Sequence, residues 1–140
     1  MFAALPLLAL PVLLYNLIAL TFAGGFGAAE AQDRMSAEIF TVHMTSSAAW
    51  SVSLGDLILA GALVILFIEL LKSTTSRRTA IVNHALSMVL FIACLVEFLL
   101  FPAFATSVFF LVMLMVLLDV LAGFIVTIAS TRREVDFRGD

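Results

Sequence analysis

Charge is what this sequence has least of: 12% of its residues are charged, against about 25% in ordinary soluble domains. That shortage excludes a water-facing surface over most of the chain. Seven basic residues against ten acidic ones, a net charge of −3, leave no basic field that would hold nucleic acid. Cysteine is nearly absent as well. Cys94 stands alone, so it has no partner for an intrachain disulfide, a redox pair or a zinc ligand set, and inside an apolar run it behaves as a small hydrophobe. There is no phosphate-cradling glycine loop or nucleotide motif. The paired cysteines of disulfide-exchange bundles and the arginine ladder of voltage sensors are missing too. Neither a cofactor nor a metal is expected.

What the chain has in abundance is hydrocarbon, with 64% hydrophobic residues and a mean hydropathy of +1.21. Its 140 residues suit one domain, and the long apolar runs leave little chain for a separate soluble module. The reading is an all-α integral membrane protein, a single membrane domain over residues 1–140.

Four apolar runs set the expected helices at about 5–23, 54–71, 80–101 and 107–129. Each is close to the ~20 residues that span a hydrocarbon core of about 30 Å. The first competes with a secretory signal peptide, since Ala29-Glu30-Ala31 offers small residues of a cleavage site. It lacks a basic n-region, however, and exceeds the usual h-region of about 7–15 residues. Pro6 and Pro11 predict a bend or restart in this helix.

Between the first two runs, residues 24–52 form the one sizeable polar loop. There Phe40, Val42 and Met44 alternate with Thr41, His43 and Thr45, the period of a strand with one covered face. A hairpin packed over the helix ends is expected; an isolated pair of strands is marginal in water, so an interfacial helix or support from a partner is the alternative. Trp50 suits the membrane interface. Ser53 and Asp56 form a capping-box-like start for the second helix, and Glu69 has Lys72 three residues on, a pair expected to reach the headgroups.

Three basic residues lie in the turn around 72–78, three in the tail 130–140, and only Arg34 in the long loop. The positive-inside rule therefore places the turn and both termini in the cytoplasm and the loop outside. The architecture expected is an up-down four-transmembrane-helix bundle with one long outer, non-cytoplasmic loop, in the manner of a small bacterial inner-membrane protein.

The costly residues are polar ones within the runs. At 100° per residue, Asn83, Ser87, Cys94 and Glu97 share an arc of roughly 80° on the third helix. Asp119, Gly123, Thr127 and Ser130 share a similar arc on the fourth, with Gly123 and Thr127 at a spacing that lets backbones approach. Asp119 lies about 15 Å from the helix end by rise. An ionised aspartate at such depth costs roughly 2.5–3.5 kcal/mol on insertion scales, so a protonated or hydrogen-bonded Asp119 is expected, with Asn16 and Ser87 as partners. Glu97, near the outer end, is expected to meet Arg34 or His43 from the loop. The candidate intramembrane polar site is thus Asp119, Glu97, Asn16, Ser87 and Asn83, and the candidate loop anchor is Arg34 with His43.

No enzymatic activity is expected. His43 lies near Thr45, Ser46 and Ser47 without a motif that fixes a triad, and His43 and His84 fall at opposite ends of the topology, unable to share one haem iron. Two function classes stay open. One is a non-catalytic accessory or scaffold subunit of a larger membrane complex, whose partners are lipids and other membrane subunits or further copies of itself. The other is a proton or ion pathway through Asp119 and Glu97. Acids converging on a water-filled cavity favour the pathway; acids buried against Asn16 and Ser87 favour the scaffold.

Overall fold

Proline decides where the first helix begins. In the computed structural model, which describes residues 5–21, 27–73 and 77–136, α1 covers Ala9–Thr21. A turn precedes it, in which the Ala9 N–H donates to the Pro6 carbonyl at 3.1 Å. Pro11 falls in the first helical turn, the one place where a missing N–H costs nothing. The prolines therefore delay the helix rather than bend it. Its 13 residues rise only about 20 Å, short of a ~30 Å core; residues 22 and 23 lie outside the described residues.

The long loop holds both of the structures considered for it. Helix α2 (Ala28–Ser36) buries Ala31 and Met35, and strands β1 (Glu38–His43) and β2 (Ala49–Ser53) follow as an antiparallel hairpin. Register pairs Phe40 with Val52 and Val42 with Trp50, while Thr41 faces Ser51 and His43 faces Ala49. One hairpin face is thus apolar and the other largely polar. The turn between the strands is closed by Ser47 N–H on the Met44 carbonyl, with Ser47 at φ 65°. Contrary to expectation, the apolar face is not packed over the helix ends: Phe40, Val42 and Trp50 stay exposed, and only Val52 is buried.

Strand β2 runs straight into α3 (Leu54–Ser73), and the capping box forms there. The Asp56 N–H donates to Ser53 Oγ at 3.2 Å, and the Ser53 N–H returns a bond to Asp56 Oδ2 at 2.9 Å. Helix α4 covers Arg77–Leu100. It stops because Phe101, preceding Pro102, is extended, as a residue before proline must be. Pro102–Phe104 make one 3-10 turn, and Thr106 then caps α5, accepting the Phe109 N–H at 3.2 Å. Helix α5 spans Ser107–Asp136. It continues well past the expected end at 129, because residues 129–136 contain neither glycine nor proline to stop it; Arg138 lies outside the described residues.

The described chain is 77% helical, so packing is decided by how these helices meet. Helix α5 is the hub, contacting α4, α3 and α1, and successive long helices run antiparallel. Three helices are long and apolar enough to cross a membrane: Leu54–Lys72, Val82–Leu100 and Ser107–Val126. Polarity is inverted relative to a soluble protein. Glu69, Asn83, Ser87, Thr106 and Asp119 are buried, whereas Leu63, Phe67, Leu99, Leu100 and Ile125 are more than half exposed. Such a surface is stable against lipid tails and unstable against water. The findings agree with a multi-pass membrane protein, plus a two-stranded sheet that an all-helical reading does not contain.

Candidate functional site

With no hydrophobic force between helices in lipid, association rests on close packing and interhelical hydrogen bonds. The buried polar residues of this chain supply those bonds at three levels. Nearest the hairpin, the 3-10 turn is held by Tyr15, whose ring packs on Phe104 and Phe109 at centroid distances of 5.6 and 4.8 Å. Tyr15 OH donates to the Ala103 carbonyl at 3.0 Å and lies 2.6 Å from Thr106 Oγ1. A phenol has one proton, so Thr106 must donate to Tyr15. The chain of donation then runs from Phe109 N–H through Thr106 and Tyr15 to Ala103.

Also in this half, Asn16 Nδ2 donates to Glu97 Oε2 at 3.2 Å, and to the Val12 carbonyl one turn back on its own helix at 3.1 Å. The sequence pattern pairs Asn16 with Asp119 and Glu97 with the loop. The structure instead brings Asn16 and Glu97 together, because α1 starts late and sets Asn16 in the half nearer the hairpin. Arg34, on the last turn of α2, and His43, in β1, are both exposed, and the described donor to Glu97 is Asn16.

Toward the other end, where α3 gives way to α4, Glu69 is wholly buried. It accepts the Leu7 N–H at 2.8 Å and Asn83 Nδ2 at 2.5 Å, and it pairs with Lys72 Nζ at 3.1 Å. Lys72 also donates to the Leu5 carbonyl at 2.9 Å. One carboxylate therefore joins the start of α1 to α3 and α4. The Glu69–Lys72 spacing points both side chains to the headgroups; Asn83, whose side chain needs a buried acceptor, is the residue that draws Glu69 inward.

Between these levels Ser87 Oγ donates to Asp119 Oδ2 at 2.6 Å, both residues being wholly buried. One turn further along α5, Gly123 takes the imidazole of His84, and a Cβ at Gly123 would collide with that ring. Ser87 and His84 of α4 thus face Asp119 and Gly123 of α5, while Asn83 of α4 bonds Glu69 of α3. Asn83 Oδ1, both His84 ring nitrogens and Asp119 Oδ1 are buried without a hydrogen-bond partner.

The chain matches no family model, no curated protein and no solved structure. Its chemistry must be read from these side chains alone. They include one wholly buried cysteine, Cys94, and, among the described residues, no group of three or more His, Cys, Asp or Glu side chains able to hold a metal ion. Among the described residues, the arrangement offers interhelical hydrogen bonding centred on three carboxyl groups, with unpartnered buried atoms on Asn83, His84 and Asp119.

Proposed function

We propose that this chain is a non-catalytic four-helix membrane protein acting as an accessory or scaffold subunit of a larger membrane complex. In this reading α1 and the turn before it make the fourth membrane crossing. The protein lies in a bacterial inner membrane, with the α3–α4 turn and both termini cytoplasmic and the hairpin outside. The observation that carries the proposal is the use of the acids. Glu69, Glu97 and Asp119 each accept a side-chain hydrogen bond from a helix other than their own, so each serves the chain's own packing. The surface left over consists of apolar helix faces and a hairpin whose exposed Phe40, Val42 and Trp50 suit contact with lipid or a neighbouring subunit.

The second reading, a proton or ion pathway, draws on the unpartnered atoms around Asp119. It is weakened by position: Glu97 lies ten residues along α4 from Ser87, the partner of Asp119, which is about 15 Å of helix. A proton-flux assay on protein reconstituted in liposomes separates the two. The scaffold reading predicts flux equal to that of protein-free vesicles, and Asp119→Asn changes nothing. Protein-dependent flux abolished by Asp119→Asn selects the pathway.

A further inference from the structure

The hairpin leaves the bundle where the membrane begins. Leu54 and Ser107 are the first residues of two apolar crossings, and the helices that carry them touch at that level. A Cβ at Gly55 of α3 would lie 2.6 Å from Val108 Cγ2 of α5 and 2.9 Å from the Met35 carbonyl oxygen of α2. Two crossings that start side by side mark one boundary. The same packing fixes the root of the hairpin, where the Leu54 N–H also donates to the Ala37 carbonyl at 3.1 Å. The hairpin is therefore held at the boundary instead of hanging from a free linker.

From that root the two faces differ. Register sets Phe40 beside Val52 and Val42 beside Trp50 on one face. Val52, at the root, is buried, whereas Phe40, Val42 and Trp50 are 47%, 37% and 54% exposed. Thr41, His43 and Ser51 lie on the other face. At about 3.4 Å per strand residue, Val52 is within roughly 7 Å of Leu54 and Trp50 within roughly 14 Å. The headgroup layer is only about 5–8 Å deep on each side of the hydrocarbon. An upright hairpin would lift Val42 and Trp50 through that layer into water; one lying along the membrane keeps the whole apolar face within it.

Size and charge select lipid as the occupant. Half exposed, Phe40 and Trp50 together offer roughly 200 Å², and Val42 adds less than either, against about 800 Å² on each side of a stable protein interface. A bilayer sets no such threshold, because the crossings already hold this face beside it. Tryptophan suits the headgroup level, its ring buried and its N–H wet, and amphipathic elements in this layer sink their apolar side about 5–10 Å. No lysine or arginine occurs from Glu38 to Ser53, so attachment rests on apolar insertion and gains nothing from acidic headgroups. We propose that the β1–β2 hairpin lies on the membrane surface, with Phe40, Val42 and Trp50 inserted among the phospholipids and Thr41, His43 and Ser51 turned to water. A pair of strands that is marginal in water thereby gains a covering layer. Of the two contacts open to this face, lipid or a neighbouring subunit, lipid is selected, and only the three long crossings are required for it, whatever complex the chain joins.

Trp50 is the only tryptophan in the chain, so its fluorescence reports on this face in the unaltered protein. The full chain, purified alone, is placed in phosphatidylcholine nanodiscs with and without lipids brominated on the upper acyl carbons. Trp50 emission is expected to lose most of its intensity to the brominated lipid, to resist iodide in the water, and to ignore added phosphatidylglycerol or salt. Quenching by iodide and not by bromine overturns the lipid contact; it leaves the face to a neighbouring subunit, so the scaffold reading survives. Bromine quenching in a chain that recovers no partner upholds the lipid contact and sinks the scaffold reading alone. Nitroxide labels at Val42→Cys and Thr41→Cys, each in a Cys94→Ala background, test the flat orientation. The first is expected to favour oxygen dissolved in lipid and the second a water-soluble nickel complex, and equal access at both positions overturns it.

Discussion

Ser87 and Asp119 close on each other across the α4–α5 interface, the hydroxyl donating to Oδ2 at 2.6 Å while Oδ1 is left buried and unpartnered. The acid is held by one bond, so that bond should be measurable. Ser87→Ala is expected to lower stability by about 0.6–1.7 kcal/mol, the range found for interhelical hydrogen bonds in bilayers. Reversible unfolding in bicelles measures it, and a double-mutant cycle with Asp119→Ala, which removes the acceptor, should return a coupling of similar size. No loss would mean that the buried carboxyl finds an equal partner elsewhere.

The Ser87–Asp119 pairing was legible in the sequence because both residues lie on polar stripes of long regular helices, where a period of 3.6 fixes the facing. The three long spans were legible because each is an apolar run close to the ~20 residues that cross a hydrocarbon core. Helix α1 was less so: hydropathy counts apolar residues from Leu5, but Pro6 decides where hydrogen bonding can begin, and a later start moves Asn16 from Asp119 to Glu97. The spacing of Glu69 to Lys72 describes one helix, while the burial of Glu69 is set by Asn83 from α4 and Leu7 from the turn before α1. The hairpin was visible in the alternation of Phe40, Val42 and Met44. Its exposure was not, since alternation says which residues share a face and nothing about what covers it.

Gly123 of α5 lies directly against the His84 ring of α4. Gly123→Ala would gain about 1 kcal/mol of helix propensity in isolation, yet here the new methyl meets the His84 ring. The variant should be destabilised by about 1–3 kcal/mol, the usual cost of overpacking. Adding His84→Ala should recover most of the loss in thermal melts, because it removes the colliding ring.

Tyr15 contributes both packing and a hydroxyl. Tyr15→Phe keeps the aromatic contacts with Phe104 and Phe109 but breaks the bonds to Ala103 and Thr106, so it should cost about 1 kcal/mol. Tyr15→Ala empties the site as well and should cost about 3–5 kcal/mol. Equal effects in unfolding experiments would show that the hydroxyl contributes nothing.

Glu69 gathers donors from Leu7, Asn83 and Lys72. Glu69→Gln replaces one acceptor oxygen with an amide that presents hydrogens to donors, leaving buried groups unpaired at a cost of about 1–3 kcal/mol. The start of α1 should loosen first. A cysteine introduced by Leu8→Cys, wholly buried at that position, should label faster with a maleimide in the Glu69→Gln background, and an unchanged rate would contradict this role.

Ser47 carries a positive φ of 65°, a backbone region costing an L-residue roughly 1–2 kcal/mol relative to glycine. Ser47→Gly should therefore slow amide exchange in β1 and β2 without altering the melting of the helices. Faster exchange would indicate that the Ser47 side chain, rather than its backbone, sets the turn.

The most direct test of the scaffold proposal is gentle extraction from native membrane followed by native mass spectrometry. Recovery in fixed stoichiometry with other, larger membrane subunits is expected, in an association that survives exchange of detergent for lipid nanodiscs. Recovery of the chain alone, or only with copies of itself, would contradict it.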